Sequence, residues 1–300
     1  MDAKKLYVIG NGFDLYHGIP SSYCAFKDFV RANDREVFEW VEDYVPAGEY
    51  WGELESSLAY LDTDNIVDER TQFLGSYGDD DWSDSGHHDF QYEIERVASG
   101  LSSTLQELFS KWVSALPIPD ASSAPVQLQT LDPQAFYLTF NYTNTLAKIY
   151  GIDPDQVLHI HGSADNGDEL ILGHAWEAQQ RETLNRQDDD PDSFDHRVAE
   201  AMDELDDYFE KTFKPSAKII ADHESFFRGL DSVEEVHVLG HGLSSVDGLY
   251  FVNLVEGLKG RPVPWVIAHR QGGDLQKMRN SLVGFGVKAS LISFIPWGKI

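Results

Sequence analysis

Four short stretches of this 300-residue chain gather side chains that can do chemistry, and a fifth ends in a similar way. In Val157-Leu158-His159-Ile160-His161-Gly162, an extended conformation puts His159 and His161 on one face and Ile160 on the other. An imidazole titrates near neutrality, so it can take a proton from water or a ribose hydroxyl. His161 precedes Gly162, where a chain can leave its sheet and expose the ring, whereas His159 reads as a buried, hydrogen-bonded core histidine. In Thr139-Phe140-Asn141-Tyr142-Thr143-Asn144, Asn141 has two readings. It bonds a ribose hydroxyl or an attacking water, or it caps the helix announced by Leu146, Ile149 and Tyr150. Gly10-Asn11-Gly12-Phe13-Asp14 offers glycines that turn sharply and let the backbone N–H groups approach a pyrophosphate. Leu15 occupies the place of the third glycine of a dinucleotide fingerprint, so an ordinary strand-to-loop turn explains the motif equally well. Gly240-His241-Gly242-Leu243-Ser244-Ser245-Val246-Asp247 pairs a glycine turn with hydroxyls suited to a ribose or phosphate, and Leu170-Ile171-Leu172-Gly173-His174 ends similarly. A metal alternative would join His159 and His161 to His174 or His241, but no carboxylate ligands stand out at recognisable spacing, and no metal is expected.

These clusters follow segments that read as strands: Leu6 to Ile9, Ala135 to Phe140, Gln156 to His161, Leu170 to Leu172 and Glu235 to Leu239. Val263 to His269 and Ala289 to Phe294 continue the series. Between them lie helical insertions at about 24–130 and about 176–230. The clearest is the stripe Phe90, Ile94, Val97, Leu101, Leu105, Leu108, Trp112 and Leu116, which Pro117 and Pro119 stop. Val198, Met202, Leu205 and Phe209 mark the second. The acidic stretch at 78–84 reads as a solvated loop rather than a metal site, and the acidic run at 188–192 precedes the second helical repeat. The expectation is one α/β domain, a mostly parallel sheet with helices on both faces, and a ligand at the carboxyl ends of the strands.

The formal charge of −28, from 51 acidic against 23 basic residues, argues against nucleic acid and against anionic membrane as partners. Any phosphate-bearing ligand must be held by local N–H groups or a few cations. A single cysteine, Cys24, excludes an internal disulfide and a four-cysteine zinc ribbon, and suits a reducing compartment. Leu6 to Ile9 is too short an apolar run for a signal sequence, and no segment is long enough to span a bilayer, so a cytoplasmic location is expected.

Taken in order, Gly10 to Leu15, Gly18-Ile19-Pro20-Ser21-Ser22-Tyr23, Phe140 to Thr143, His159 to Gly162, Gly173-His174 and Gly240 to Asp247 resemble the bacteriophage abortive-infection AbiH family over nearly the whole chain. The same motifs look like a divergent sirtuin-like, Rossmann-type fold. That resemblance implies NAD as substrate, with the glycine turn and Gly18-Ile19-Pro20 on the phosphates and the nicotinamide side. Thr139, Asn141 and Thr143 would line the ribose, His161 would be the base, and Gly240 and Gly242 would form a later ribose-binding turn. Asn11, Phe13, Asp14, Tyr142, Gly162, His241 and Asp247 complete the implied lining. Thr143 replaces an aspartate of that pattern and Gly242 a serine; with one cysteine there is no deacylase zinc ribbon. The implied activity is therefore an NAD glycohydrolase that releases nicotinamide, with Asn141 positioning water or ribose and His161 taking up a proton. In phage defence such an activity would need restraint by oligomerisation or a phage-derived trigger. The alternatives are a non-catalytic sensor of NAD or ADP-ribose, and a histidine-metal hydrolase.

Overall fold

The computed structural model describes residues 3–74, 88–129, 131–176, 182–184, 195–270 and 272–299. The acidic stretches at 78–84 and 188–192 lie outside them.

Six strands form one sheet in the order β3-β2-β1-β4-β5-β6: β1 Lys5–Ile9, β2 Phe136–Thr139, β3 Val157–His159, β4 Glu235–Leu239, β5 Trp265–His269 and β6 Ile292–Pro296. Every neighbouring pair is parallel. β1 is central, with Val8 opposite Leu138 of β2 and Val238 of β4. Alternation in β1 decides which core each residue enters. Leu6 and Val8 join Ile219, Ile220, Phe227, Leu254 and Leu282 from helices on one face. Tyr7 and Ile9 join Phe13, Leu146 and Trp297 on the other. Each such aliphatic side chain, taken fully out of water, stabilises the fold by about 2 kcal/mol.

The six strands stand where the sequence placed them; β2, β3 and β5 are shorter than expected, β1 begins one residue earlier, β4 keeps its bounds and β6 is shifted to Ile292–Pro296. Leu170 to Leu172 is not among them. The Ile171 N–H donates to the His161 carbonyl at 3.0 Å and the Ile171 carbonyl accepts from the Tyr142 hydroxyl at 2.8 Å, so turn and side-chain bonds hold this segment outside the sheet. β3 ends at His159, because the chain turns away at Ile160 and His161.

Two compact units divide the chain. One holds the sheet and comprises Met1–Ser22, Ser110–Ile171 and Pro215–Ile300. The other is Tyr23–Phe109 with Leu172–Lys214, narrower than the insertions the sequence suggested. Residues 215–230 fall in the sheet unit because Ile219, Ile220 and Phe227 complete its core, and Leu128 does the same on the opposite face. In the second unit the expected stripe is buried at Phe90, Ile94, Val97, Leu101 and Leu105. A π turn at Gly100–Thr104 interrupts the α-helical hydrogen bonding between Asp89–Ser99 and Leu105–Ser114. The helix ends at Ser114, ahead of Pro117; residues 117–129 contain no helix. The His196–Lys211 helix buries Leu205 and Phe209 and lies along Asp89–Ser99. Lys214, almost fully buried, is neutralised by Glu55 at 2.6 Å.

Candidate functional site

Because all six strands run the same way, the segments after β1, β2, β3 and β4 emerge at one edge of the sheet. From β1 the chain builds outward through β2 to β3, then returns to place β4 on the other side of β1. Strand order therefore reverses between β1 and β4, the place where open α/β sheets form their ligand crevice.

At that reversal two glycine loops interlock. Gly12 N–H donates to the Gly240 carbonyl at 2.8 Å, and Phe13 N–H to the Gly10 carbonyl at 2.8 Å. A Cβ on Gly12 would lie 2.7 Å from the Gly240 oxygen, and one on Gly240 would lie 2.2 Å from the Phe13 nitrogen. Gly240 also has φ +74, the left-handed region that favours glycine. The glycines thus let backbone meet backbone, and the amides of Gly12 and Phe13 bond to the protein's own carbonyls. Asn11 is likewise engaged: its amide donates to the Ser21 carbonyl at 2.7 Å and accepts from the Ser21 hydroxyl at 2.5 Å. That pair fixes the Gly18-Ile19-Pro20 segment, in which Gly18 and Pro20 are exposed.

Asp14, 1 % exposed, points from the Gly12–Tyr16 helix to the segment after β2. It accepts the Thr143 hydroxyl at 2.5 Å and the Thr145 hydroxyl at 2.8 Å. Burial pushes its pKa up to about 6, while these hydroxyls and the nearby Asn141 amide pull the other way. Thr145 was not singled out in the sequence, and its distance along the chain from Asp14 left no signal to find it by.

Asn141 is 6 % exposed. Its backbone N–H donates to the Thr139 hydroxyl at 3.1 Å and its carbonyl meets His159 Nδ1 at 3.0 Å. Its side-chain amide lies near enough to Asp14 to favour the carboxylate, yet neither amide atom makes a hydrogen bond of good geometry. The helix begins at Thr145 with Asn144 at its cap position, so Asn141 is not the cap. Tyr142, half-buried, braces the site through its bond to Ile171.

His161, expected to be exposed, is 3 % exposed. Its ring packs edge-on against Phe140 and Tyr250, and its Nε2 lies 3.9 Å from Asp247 Oδ1. The other oxygen of Asp247 lies 3.3 Å from Nε2 of His241. One carboxylate therefore faces two buried imidazoles from strands on either side of β1, with the Phe140 ring 5.2 Å from one and 4.4 Å from the other. The sequence marked each of these residues but not their sharing of Asp247. His159 stands apart: burial lowers its pKa, and the Asn141 carbonyl occupies its Nδ1. Gly162 has φ +88, and a Cβ there would lie 2.5 Å from the Glu169 oxygen. Gly242 is exposed with open space where a Cβ would be. Among the described residues, no three histidine, cysteine, aspartate or glutamate side chains converge to hold a metal ion.

A six-stranded parallel sheet with reversed strand order, glycine turns and buried imidazoles at its carboxyl edge makes this a Rossmann-like α/β protein. Residues 6–269 match the family described as Bacteriophage abortive infection AbiH, and the chain belongs to that family, which gives it a role in phage abortive infection. No curated protein matches it. Among the described residues, no helix is long and apolar enough to cross a membrane.

Proposed function

We propose that the cluster at the carboxyl edge acts on NAD as a glycohydrolase, releasing nicotinamide and leaving ADP-ribose. The observation that carries this reading is the Asn141 side chain, buried beside Asp14 with both amide atoms lacking a hydrogen-bond partner. Leaving a buried amide unsatisfied costs about 1–3 kcal/mol, a cost removed if a ribose hydroxyl or water takes up those bonds. Two residues depart from the sirtuin-like pattern, and at the first the structure offers a substitute. Thr143 stands where an aspartate belongs and donates to Asp14, so a carboxylate reaches the same spot from the first motif. Gly242 stands where a serine belongs, and a side chain there would meet open space. With the Gly12 and Phe13 amides engaged, the diphosphate would fall to the exposed hydroxyls of Ser244 and Ser245.

In this reaction a water oxygen bonds to the anomeric carbon of the nicotinamide ribose as the carbon–nitrogen bond breaks. The bonding electrons leave with nicotinamide, neutralising its ring. Asn141 orients the water or ribose, and the water's proton passes to His161 and on to solvent. Burial of His161 favours a second reading, in which the same cleft binds NAD or ADP-ribose without turnover.

The test is nicotinamide release by the purified protein beside its His161→Ala and Asn141→Ala variants, with and without phage lysate and with folding checked by circular dichroism. Release lost by at least a hundredfold in both folded variants supports the glycohydrolase. Binding of NAD without release from any sample supports the sensor. Neither binding nor release overturns both.

A further inference from the structure

The geometry of His241 points to a division of labour between the two imidazoles: His241 serves as a fixed anchor for Asp247, and Asp247 is a positioning residue that sets the proton affinity of His161. Three linked features carry this. The backbone N–H of Leu243 donates to His241 Nδ1 at 2.9 Å, so that nitrogen is the acceptor and carries no proton. A neutral His241 therefore has its proton on Nε2, the atom 3.3 Å from Asp247 Oδ2. The loop is also bent to make this arrangement: Leu243, a buried non-glycine residue, has φ +56. Left-handed backbone costs an L-residue stability unless its surroundings hold it there, and the bond from its own amide to His241 does so.

Asp247, held on one oxygen, turns the other toward His161 Nε2 at 3.9 Å. Among the described residues, Asp247, the rings of Phe140, Tyr142 and Tyr250, and across the carboxylate His241 face His161. Asp247 is the anionic one of these, so it favours the imidazolium that His161 becomes on accepting a proton. His241, with its Nδ1 bonded to a backbone amide and its Nε2–H aimed at the carboxylate, is placed to hold rather than to exchange a proton.

The catalytic consequence rests on the glycohydrolase reading; the protonation states do not, and they are measured directly. Uniformly folded protein labelled with 15N-histidine would be titrated by long-range proton–nitrogen correlation spectroscopy, with His161 and His241 assigned from His161→Gln and His241→Gln. In the wild type, the neutral form of His241 is expected to be the Nε2–H tautomer. In Asp247→Asn, His161 should bind its proton at least tenfold more weakly. An Nδ1–H tautomer at His241, or an unmoved His161 titration in folded Asp247→Asn, overturns the inference. The tautomer is read on the wild type and needs no variant to fold. If the titrations are as expected while no sample releases nicotinamide, the glycohydrolase reading falls and this one stands. If release occurs, the acid limb of kcat should move about one pH unit lower in Asp247→Asn, with KM changed less.

Discussion

The hydrogen-bond partners of Asp14 are two hydroxyls, with the Asn141 amide nearby, rather than a cation, which is why burial dominates and its pKa rises to about 6 from 3.8. A carboxyl that binds its proton more tightly folded than unfolded adds stability below the unfolded value, and that stability is lost as pH rises through the folded value. The window is therefore about pH 4 to 6, and a shift of about two units corresponds to about 3 kcal/mol. Asp14→Asn lacks this titration. Urea unfolding at pH 4.5 and 7.5 should show the wild type losing stability relative to Asp14→Asn at the higher pH; a constant difference would exclude a raised pKa at Asp14. Asn141 makes a second residue-scale case. Its side chain holds nothing together through good hydrogen bonds, so Asn141→Ala should unfold within about 1 kcal/mol of wild type while ligand binding is lost. A larger loss of stability would mark Asn141 as a structural residue. Neither property was legible in the sequence, since Asp14 meets Thr143 and Thr145 across more than a hundred residues of chain. What was legible was the set of residue types, because glycine, asparagine and histidine at strand ends are conspicuous in so short a motif.

At the scale of elements, the glycine loops after β1 and β4 separate into positions that cannot accept a side chain and one that can. Gly240→Ala adds a carbon 2.2 Å from the Phe13 nitrogen at φ +74. Overpacking and the left-handed backbone together should destabilise the protein by about 3 kcal/mol. Gly242→Ser meets open space and should stay within about 0.5 kcal/mol. Thermal unfolding of the two variants side by side checks the contrast, and equal melting would refute the interlocked loops. The sequence located these turns through the apolar runs before them, since β1, β2, β4 and β5 are short Val-, Ile-, Leu- and aromatic-rich segments. It overstated Leu170 to Leu172, where an equally apolar run finds its hydrogen bonds in a turn and a tyrosine. Apolar composition reports burial, and burial does not require a neighbouring strand. Strand order was not legible either, because it depends on where the long connections from Ile9 to Phe136 and from His159 to Glu235 return the chain.

For the whole molecule, the net charge of −28 sets the long-range field in which any ligand arrives. NAD carries a diphosphate and would approach against that field, the opposite of electrostatic steering. Screening weakens the repulsion over about 10 Å at 0.1 M salt. Binding of NAD, followed by calorimetry or fluorescence, should therefore tighten severalfold as salt rises from about 0.02 to 0.2 M; weakening over that range would point to cations drawing the diphosphate in.

The position of β1 has a consequence in time. β1 gains its first neighbour only when β2 is made and its second only with β4, whose residues pair with it across some 230 positions of chain. At about 5–20 residues per second, translation takes about 10 to 50 s to travel that far. Until then Asp14 and Asn141 can meet, but His161 has neither His241 nor Asp247 beside it. A protein whose family acts in abortive infection thus lacks part of its candidate site until Asp247 has been made. A ribosome-bound fragment ending before residue 235 should be harmless to the cell that makes it.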